Sequence, residues 1–411
     1  MPIANLIPDL RLALRNLRRN TQRTLVAVGT VAFGIVAFLL AGGFIEFIFQ
    51  DLRETTIHSQ LGHVQIVRPG YFDKGIADPY AFLLPGRSPE QQLVEKTPGF
   101  ASLAPRLAFS GLISHEEATI AFIGDGVDPE REKLLSSSVT IVSGRDLTSA
   151  GESAALLGEG LARSLGVQAG DVIVLLVTAA NGSANAVEVK VAGTFATTSK
   201  EYDDRALRLP LTIARKLMKV DGATSWVLLL QHTELTRSAT EHLGRVLPPK
   251  DFEVVPWSDL ADFYNKTVVL FSKQVSVVKY IIGLLIVLTI SNTQTMCVLE
   301  RTTEIGTGLA IGLRSRQVMG LFIIEGTLVG LLGGLLGVAL GYALAQAISA
   351  VGIPMPPPPG MSRGYIGQVL VNRSLAVDAF LLALFTTLLA SLMPAWKASR
   401  MNIVDALRHN Q

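Results

Sequence analysis

The chain has 411 residues, 49% hydrophobic and only 17% charged, with a mean hydropathy of +0.41. Soluble globular proteins carry about 25% charged residues, and here the deficit is unevenly spread, which points to an integral membrane protein with a soluble insert. A net charge of +2 gives no footprint for nucleic acid. The single cysteine, Cys297, excludes an intrachain disulfide and reads as a small helix-packing residue.

Residues 1–23 carry Arg11, Arg15, Arg18, Arg19 and Arg23 against Asp9, with Leu6, Leu10, Leu14 and Leu17 at helical spacing. This predicts an amphipathic basic helix on the cytoplasmic membrane surface. The apolar run from Leu25 to about Phe49 exceeds a signal-peptide core and predicts an uncleaved first membrane helix. Its pattern continues through Ile48, Leu52 and Ser59 to a stop at Gly62, so residues 24–61 form a membrane helix plus stalk. At 1.5 Å per residue that helix is roughly 55 Å long, against roughly 30 Å of hydrocarbon.

Residues 62–257 are predicted to form an extracytoplasmic α+β domain inserted between the first two membrane helices. Strand-like runs appear at His63–Arg68, Thr119–Ile123, Val172–Val177, Ala186–Val191 and Trp226–Gln231. Helical patterns cover Glu159–Leu165, Ile213–Val220 and Leu235–Val246. Two subdomains are compatible with its size, divided near 90–105 or near 200. Residues 258–299, with Ser258 as N-cap before Asp259, make a second stalk and membrane helix. A cytoplasmic loop follows at 300–317, a third membrane helix at 318–350 and an outer loop at 351–374, where Pro354–Pro359 reads as a stiff polyproline spacer. The fourth membrane helix covers 375–397, with Pro394 marking its exit, before a tail at 398–411. Arg301, Arg314 and Arg316 in the 300–317 loop, with Lys397, Arg400 and Arg408 in the tail, put both termini inside. The insert then lies outside, in the periplasm of a diderm bacterium.

Residues 299–337 carry the functional argument. Charges there separate along the chain rather than around a helix, as when an aqueous loop enters lipid. Gly330, Gly333, Gly334, Gly337 and Gly341 form overlapping G-x-x-x-G pairs, fit either for packing within one subunit or for a dimer face. Glu325, well inside the third helix, needs a partner, with Asn292 or Gln294 as candidates. Glu46 is expected to snorkel outward. The histidines show no metal-ligand spacing, and His58 with His63 makes only a weak pair. Gly124–Pro129 is too short for a calcium loop. No phosphate-cradling loop, G-x-S-x-G or local Ser/His/Asp clustering occurs, so nothing argues for an enzyme.

The residues Glu300-Arg-Thr-Thr-Glu-Ile-Gly306, Ala310-Ile-Gly312, Phe322, Glu325-Gly and the Gly333/Gly334/Gly337 run resemble the permease signature of the MacB-type, FtsX-like ABC transporter superfamily. Pro394-Ala-Trp-Lys-Ala-Ser-Arg400 and Asp405-Ala-Leu-Arg408 resemble its tail. Gly144-Arg145, Gly158–Ala162, Leu165-Gly166, Gly170-Asp171, Val191–Phe195 and Glu201–Asp203 resemble its periplasmic core. His63–Ile66 and Gly126–Pro129 tilt the likeness toward the lipoprotein-releasing branch.

The resemblance implies four membrane helices with a periplasmic domain between the first two. It also implies a second permease copy, identical or homologous, and a dimer of separate ATPase subunits that bind ATP and magnesium, this chain needing no cofactor. A coupling helix near 304–316 would dock on the ATPase, with Glu300, Arg301, Glu304, Ile305, Gly306, Leu309, Ala310, Gly312, Arg314 and Arg316 as coupling residues. Gly306 and Gly308 are expected to leave this loop less helical than usual. The implied function is a permease subunit in the inner membrane that moves or releases an amphipathic cargo, such as a lipoprotein or lipid, by mechanotransmission. A periplasmic carrier or lipoprotein and membrane lipid are the other implied partners. Alternatives are a signalling subunit activating a cell-wall hydrolase, or a tripartite efflux component; scarce intramembrane charge disfavours an ion-driven transporter.

Overall fold

The computed structural model describes residues 6–75, 78–86, 88–197, 199–356 and 364–401. Two compact units divide the chain: a helical one (residues 1–49, 268–354 and 366–411) and one built on a sheet (50–267 and 355–365).

The chain opens with α1 (Leu6–Arg19) and α2 (Thr21–Thr56), which runs on through a π-helical turn at Ile57–Leu61. Gly62, at φ +64°, stops it, and a Cβ there would lie 2.4 Å from Val227 Cγ1. The sheet unit then threads β1 (Val64–Val67), α3 (Pro89–Glu95), β2 (Phe100–His115), β3 (Ala118–Val127), α4 (Pro129–Leu135), β4 (Thr140–Gly144), β5 (Ala154–Gly158), α5 (Glu159–Leu165), β6 (Val172–Thr178) and β7 (Ala184–Ala196). It continues with α6 (Lys200–Asp203), β8 (Ala206–Pro210), α7 (Leu211–Met218), β9 (Ser225–Leu230), α8 (Thr236–Val246), β10 (Glu253–Pro256) and α9 (Trp257–Leu260). Next come α10 (Asp262–Glu300), α11 (Thr302–Ala310), α12 (Ser315–Val351), the short strands β11 (Ile353–Met355) and β12 (Tyr365–Gly367), and α13 (Arg373–Ser399). Among the described residues, the α2 helix with its π turn, α10, α12 and α13 are long and apolar enough to cross a membrane.

The ten-stranded mixed sheet runs β10-β1-β9-β2-β3-β8-β5-β7-β4, with β6 bridging β2 and β7. β9 is buried along its whole length because β1 and β2 flank it and side chains cover both faces. The long β2 belongs to two apolar cores. Its Phe100–Arg106 half pairs with β9, beside a core holding Val64, Ile66, Trp226 and Leu228, and its Leu107–His115 half pairs with β3, beside a core of Phe109, Phe122, Leu157 and Leu207. A smaller cluster joins Ile57, Ala104, Leu135, Val227, Leu229, Trp257 and Ala261. In that cluster the end of α2 and the approach to α10 meet the same strands.

Several expectations need correction. Helix 259–300 is not continuous: Ala261 (φ −89°, ψ 60°) separates α9 from α10, and Ser258 lies inside α9 rather than capping a long helix. Pro394 sits within α13, which continues to Ser399. Pro354 lies in β11, while Pro357–Pro359 of the proposed spacer fall outside the described residues, as do Asp405–Arg408. Glu46, expected to snorkel outward, accepts a hydrogen bond from Asn372 Nδ2 at 3.0 Å in an exposed contact, which does not contradict that expectation.

The glycines of α12 are filled from within the chain. A Cβ at Gly333 or Gly337 would come within 2.7 Å of Val31 or Ile35 on α2, and one at Gly341 within 2.7 Å of Leu39. Gly330 and Gly334 instead face Thr387, Ala383 and Phe380 on α13. Two glycine rows thus serve two neighbouring helices, and of these five residues none is left exposed for a second copy. Gly337→Leu should cost about 1–3 kcal/mol by overpacking, read as a lower thermal midpoint in detergent. An unchanged midpoint would contradict this contact.

His63 is 1% exposed. Its Nδ1 accepts from Leu230 N–H at 3.1 Å, so Nε2 carries the proton toward Thr233 Oγ1, also at 3.1 Å, and the Thr233 hydroxyl donates to Glu54 at 3.0 Å. Burial pulls the imidazole down to about 4, with the neighbouring His58 adding to the shift. A folded pKa below the unfolded one means that the unfolded state binds more protons between roughly pH 6.5 and 4. Stability should therefore fall as pH drops through that window, by up to ~3 kcal/mol, and His63→Gln should flatten the slope. Denaturation followed through the buried Trp226 at pH 7 and pH 5 checks both.

A candidate coupling site at the end of the helix bundle

The 299–337 stretch folds as a helix end, a short helix, a turn and a long helix. Arg301 (φ −99°, ψ 14°) breaks α10 from α11. Gly306 and Gly308 sit inside α11, so they do not loosen it: Gly306 is buried, and Ile305 beside it packs with Val298, Val318, Phe322, Ala395 and Ala398. The short helix is Thr302–Ala310 rather than 304–316. Gly312, at φ +109°, turns the chain where L-residues are strained, and the Arg314 N–H donates to Gln317 Oε1 at 2.9 Å as α12 begins.

The charges of this stretch are largely used inside the chain. Arg19 Nη2 donates to both Glu304 oxygens at 2.7 and 2.9 Å, and Arg23 donates to the two Glu300 oxygens through Nη1 and Nη2. Arg301 Nε reaches Glu304 Oε2 at 3.3 Å, and its Nη1 reaches Glu325 Oε1 at 3.2 Å, with the guanidinium 5.9 Å from the Phe322 ring centre. Asn16 Nδ2 also donates to Glu325 Oε1, at 2.7 Å. The partners of Glu325 are therefore Asn16 and Arg301, not Asn292 or Gln294; the Gln294 side chain donates to Ser391 Oγ instead. Partial burial pushes the Glu304 carboxyl up, but hydrogen bonds from Arg19 and Arg301 outweigh it and hold the group below the ordinary glutamate value.

Of the residues read as coupling residues, Glu300, Arg301 and Glu304 thus hold α1 and α2 against the loop, while Ile305, Gly306 and Leu309 pack inward. Ala310, Gly312, Arg314 and Arg316 are exposed, together with Ile311 and Leu313, which are 82% and 51% exposed. Sequence reasoning missed Asn16, Arg19 and Arg23 as partners. A partial signal was there: two arginines four residues apart match two glutamates four residues apart, though Arg11 and Arg15 share that spacing.

Two family profiles match the chain: the MacB-like periplasmic core domain over residues 24–246, and the FtsX-like permease C-terminal domain over residues 276–403. The chain belongs to the MacB-type, FtsX-like permease family. It is an ABC transporter permease of that type, with four apolar helices and a sheet domain between the first two.

Among its relatives, an uncharacterized ABC transporter permease of Methanocaldococcus jannaschii is 24% identical over 68% of this chain and 68% of its own length. A lipoprotein-releasing system transmembrane protein LolC of Xylella fastidiosa is 26% identical over 76% of this chain and 78% of its own length. A macrolide export ATP-binding/permease protein MacB of Sodalis glossinidius is 27% identical; the match covers 97% of this chain but 60% of that protein.

The buried charges should behave as a unit. Glu325→Ala or Arg301→Ala alone leaves the other partner underpaired and should cost about 3–5 kcal/mol. The double variant should cost clearly less than the sum of the two. Thermal unfolding of the four forms in detergent checks the coupling, and strict additivity would refute it.

Proposed function

We propose that this permease converts ATP-driven motion of a separate ATPase dimer into movement of its extracytoplasmic domain, which moves or releases an amphipathic cargo such as a lipoprotein or lipid from the inner membrane. The observation that carries the reading is the turn after α11: Ile311, Gly312, Leu313, Arg314 and Arg316 stand exposed on a base clamped by Arg19–Glu304, Arg23–Glu300 and Arg301–Glu325. Two exposed apolar side chains beside two arginines form a small knob suited to an apolar socket with an acidic rim. The acids of the loop hold the base, and the tip makes the contact.

A displacement of the knob would pass through the clamp to α1, α2 and α12 together. α2 (Thr21–Thr56) and α10 (Asp262–Glu300) are the long helices that would carry such a displacement. The likeness to the LolC protein of a lipoprotein-releasing system supports a lipoprotein as cargo.

The reading makes a separable prediction. Ile311→Asp with Leu313→Asp should lower permease-dependent stimulation of the partner ATPase at least about tenfold, the scale of ~1.4 kcal/mol. Thermal stability should stay within about 0.5 kcal/mol, since both residues are exposed. Full stimulation by the double variant in reconstituted membranes would overturn the docking role.

A further inference from the structure

A groove on the helical unit has the size and chemistry of a lipid site. Leu381, Leu382, Leu384, Phe385 and Leu388 of α13 line it with Thr327 of α12, and Lys279 of α10 and Asp378 of α13 stand at one end. Its volume is about 600 Å³. Beside it α10 and α13 approach closely: a Cβ at Gly283 would lie 3.3 Å from Thr386 Cγ2 and 3.7 Å from Leu382 Cδ1, the second of which lines the groove.

The head of the groove carries both signs of charge. Lys279 Nζ donates to Asp378 Oδ2 at 3.0 Å, and the ammonium lies 5.9 Å from the Phe38 ring centre. The two side chains are 36% and 58% exposed, so each keeps open positions for a ligand. From Asp378 to Leu388 the helix rises about 15 Å, half the roughly 30 Å hydrocarbon thickness. That length fits the acyl chain of one leaflet, with the charge pair at headgroup level.

We infer that this groove binds a zwitterionic glycerophospholipid, of the phosphatidylethanolamine class, from the leaflet that holds the N-terminal end of α13. Lys279 would take the phosphate and Asp378 the ammonium. One acyl chain would lie along Leu381, Leu384, Phe385 and Leu388. Charge complementarity decides among the lipids: an anionic headgroup satisfies Lys279 but repels Asp378, and a quaternary ammonium lacks the N–H donors that Asp378 accepts. The inference requires only that these helices span a bilayer, so it stands apart from the assignment of cargo or ATPase partner.

The test is lipid retention by the full-length chain. Purified from nanodiscs of equal phosphatidylethanolamine, phosphatidylglycerol and phosphatidylcholine, the protein should keep phosphatidylethanolamine enriched on the order of fivefold in native mass spectra, the scale of one exposed charge pair. Lys279→Ala with Asp378→Ala should abolish the enrichment. In the unsubstituted chain, a phosphatidylethanolamine with a photoreactive acyl chain should label residues 381–388 above the exposed apolar side chains Leu284, Leu288 and Leu335 of the other helices. Equal retention of the three lipids, or even labelling of all lipid-facing helices, would overturn the inference. Such a failure would leave ATPase stimulation untouched, and loss of stimulation would leave lipid retention untouched.

Discussion

A carboxylate placed well inside an apolar helix must find a partner, and the way Glu325 finds its partners organises the α11 end of the helical unit. Asn16 reaches it from α1 and Arg301 from the α10–α11 break, so three segments far apart in sequence converge on one oxygen. Arg301 then passes the constraint on to Glu304, and Glu304 to Arg19. Removing water from Glu325 makes the pair mandatory, whereas the outer pairs to Glu304 and Glu300 are exposed and individually weak. What gives the outer pairs value is their placement. Two cations flanking the α1–α2 junction meet two anions flanking the α10–α11 break, and together they fix α1 and α2 against the loop.

Glycine supplies the complementary constraint deeper in the bundle. With no Cβ at Gly333, Gly337 and Gly341, α12 lies against α2 at near-backbone distance, and with none at Gly330 and Gly334 it does the same against α13. Contacts of that closeness leave little room for sliding, because van der Waals packing supplies most of the association between apolar helices in lipid.

The sequence reading succeeded where the physics is local. Long apolar runs declare membrane helices whatever they pack against, and strands such as β6, which buries Ile173, Leu175 and Val177 and exposes Val172, Val174 and Leu176, show their alternation directly. It failed where tertiary contacts override local preference. β2 was missed because its two halves serve different cores and Pro105 and Gly111 break its pattern. β5 and β8 are buried along their whole length and show no alternation. Gly306 and Gly308 looked like helix breakers, yet Ile305 and its buried neighbours hold them in α11. The partners of Glu325 were out of reach because they lie 309 and 24 residues away along the chain. The clamp of Arg19 and Arg23 on Glu304 and Glu300 was hidden for a related reason: Arg11, Arg15, Arg19 and Arg23 share one four-residue spacing, and only the fold selects two of them.

The irregular points of the two stalk helices fall in one place. α2 is regular until the π turn at Ile57–Leu61, and α10 is regular back to the break at Ala261. Ile57, Trp257 and Ala261 share a single apolar cluster with Ala104, Val227 and Leu229 of the two central strands. The π turn is closed by the Gly62 N–H donating to Ile57 C=O at 2.9 Å, so the end of α2 stays hydrogen-bonded where it enters this cluster. β2 passes from it into the larger core, so one strand packs in both clusters. His63, held by Leu230 and Thr233 beside the π turn, ties Glu54 on the first stalk to the end of β9. The same residues that close the core therefore also fix where the first stalk ends.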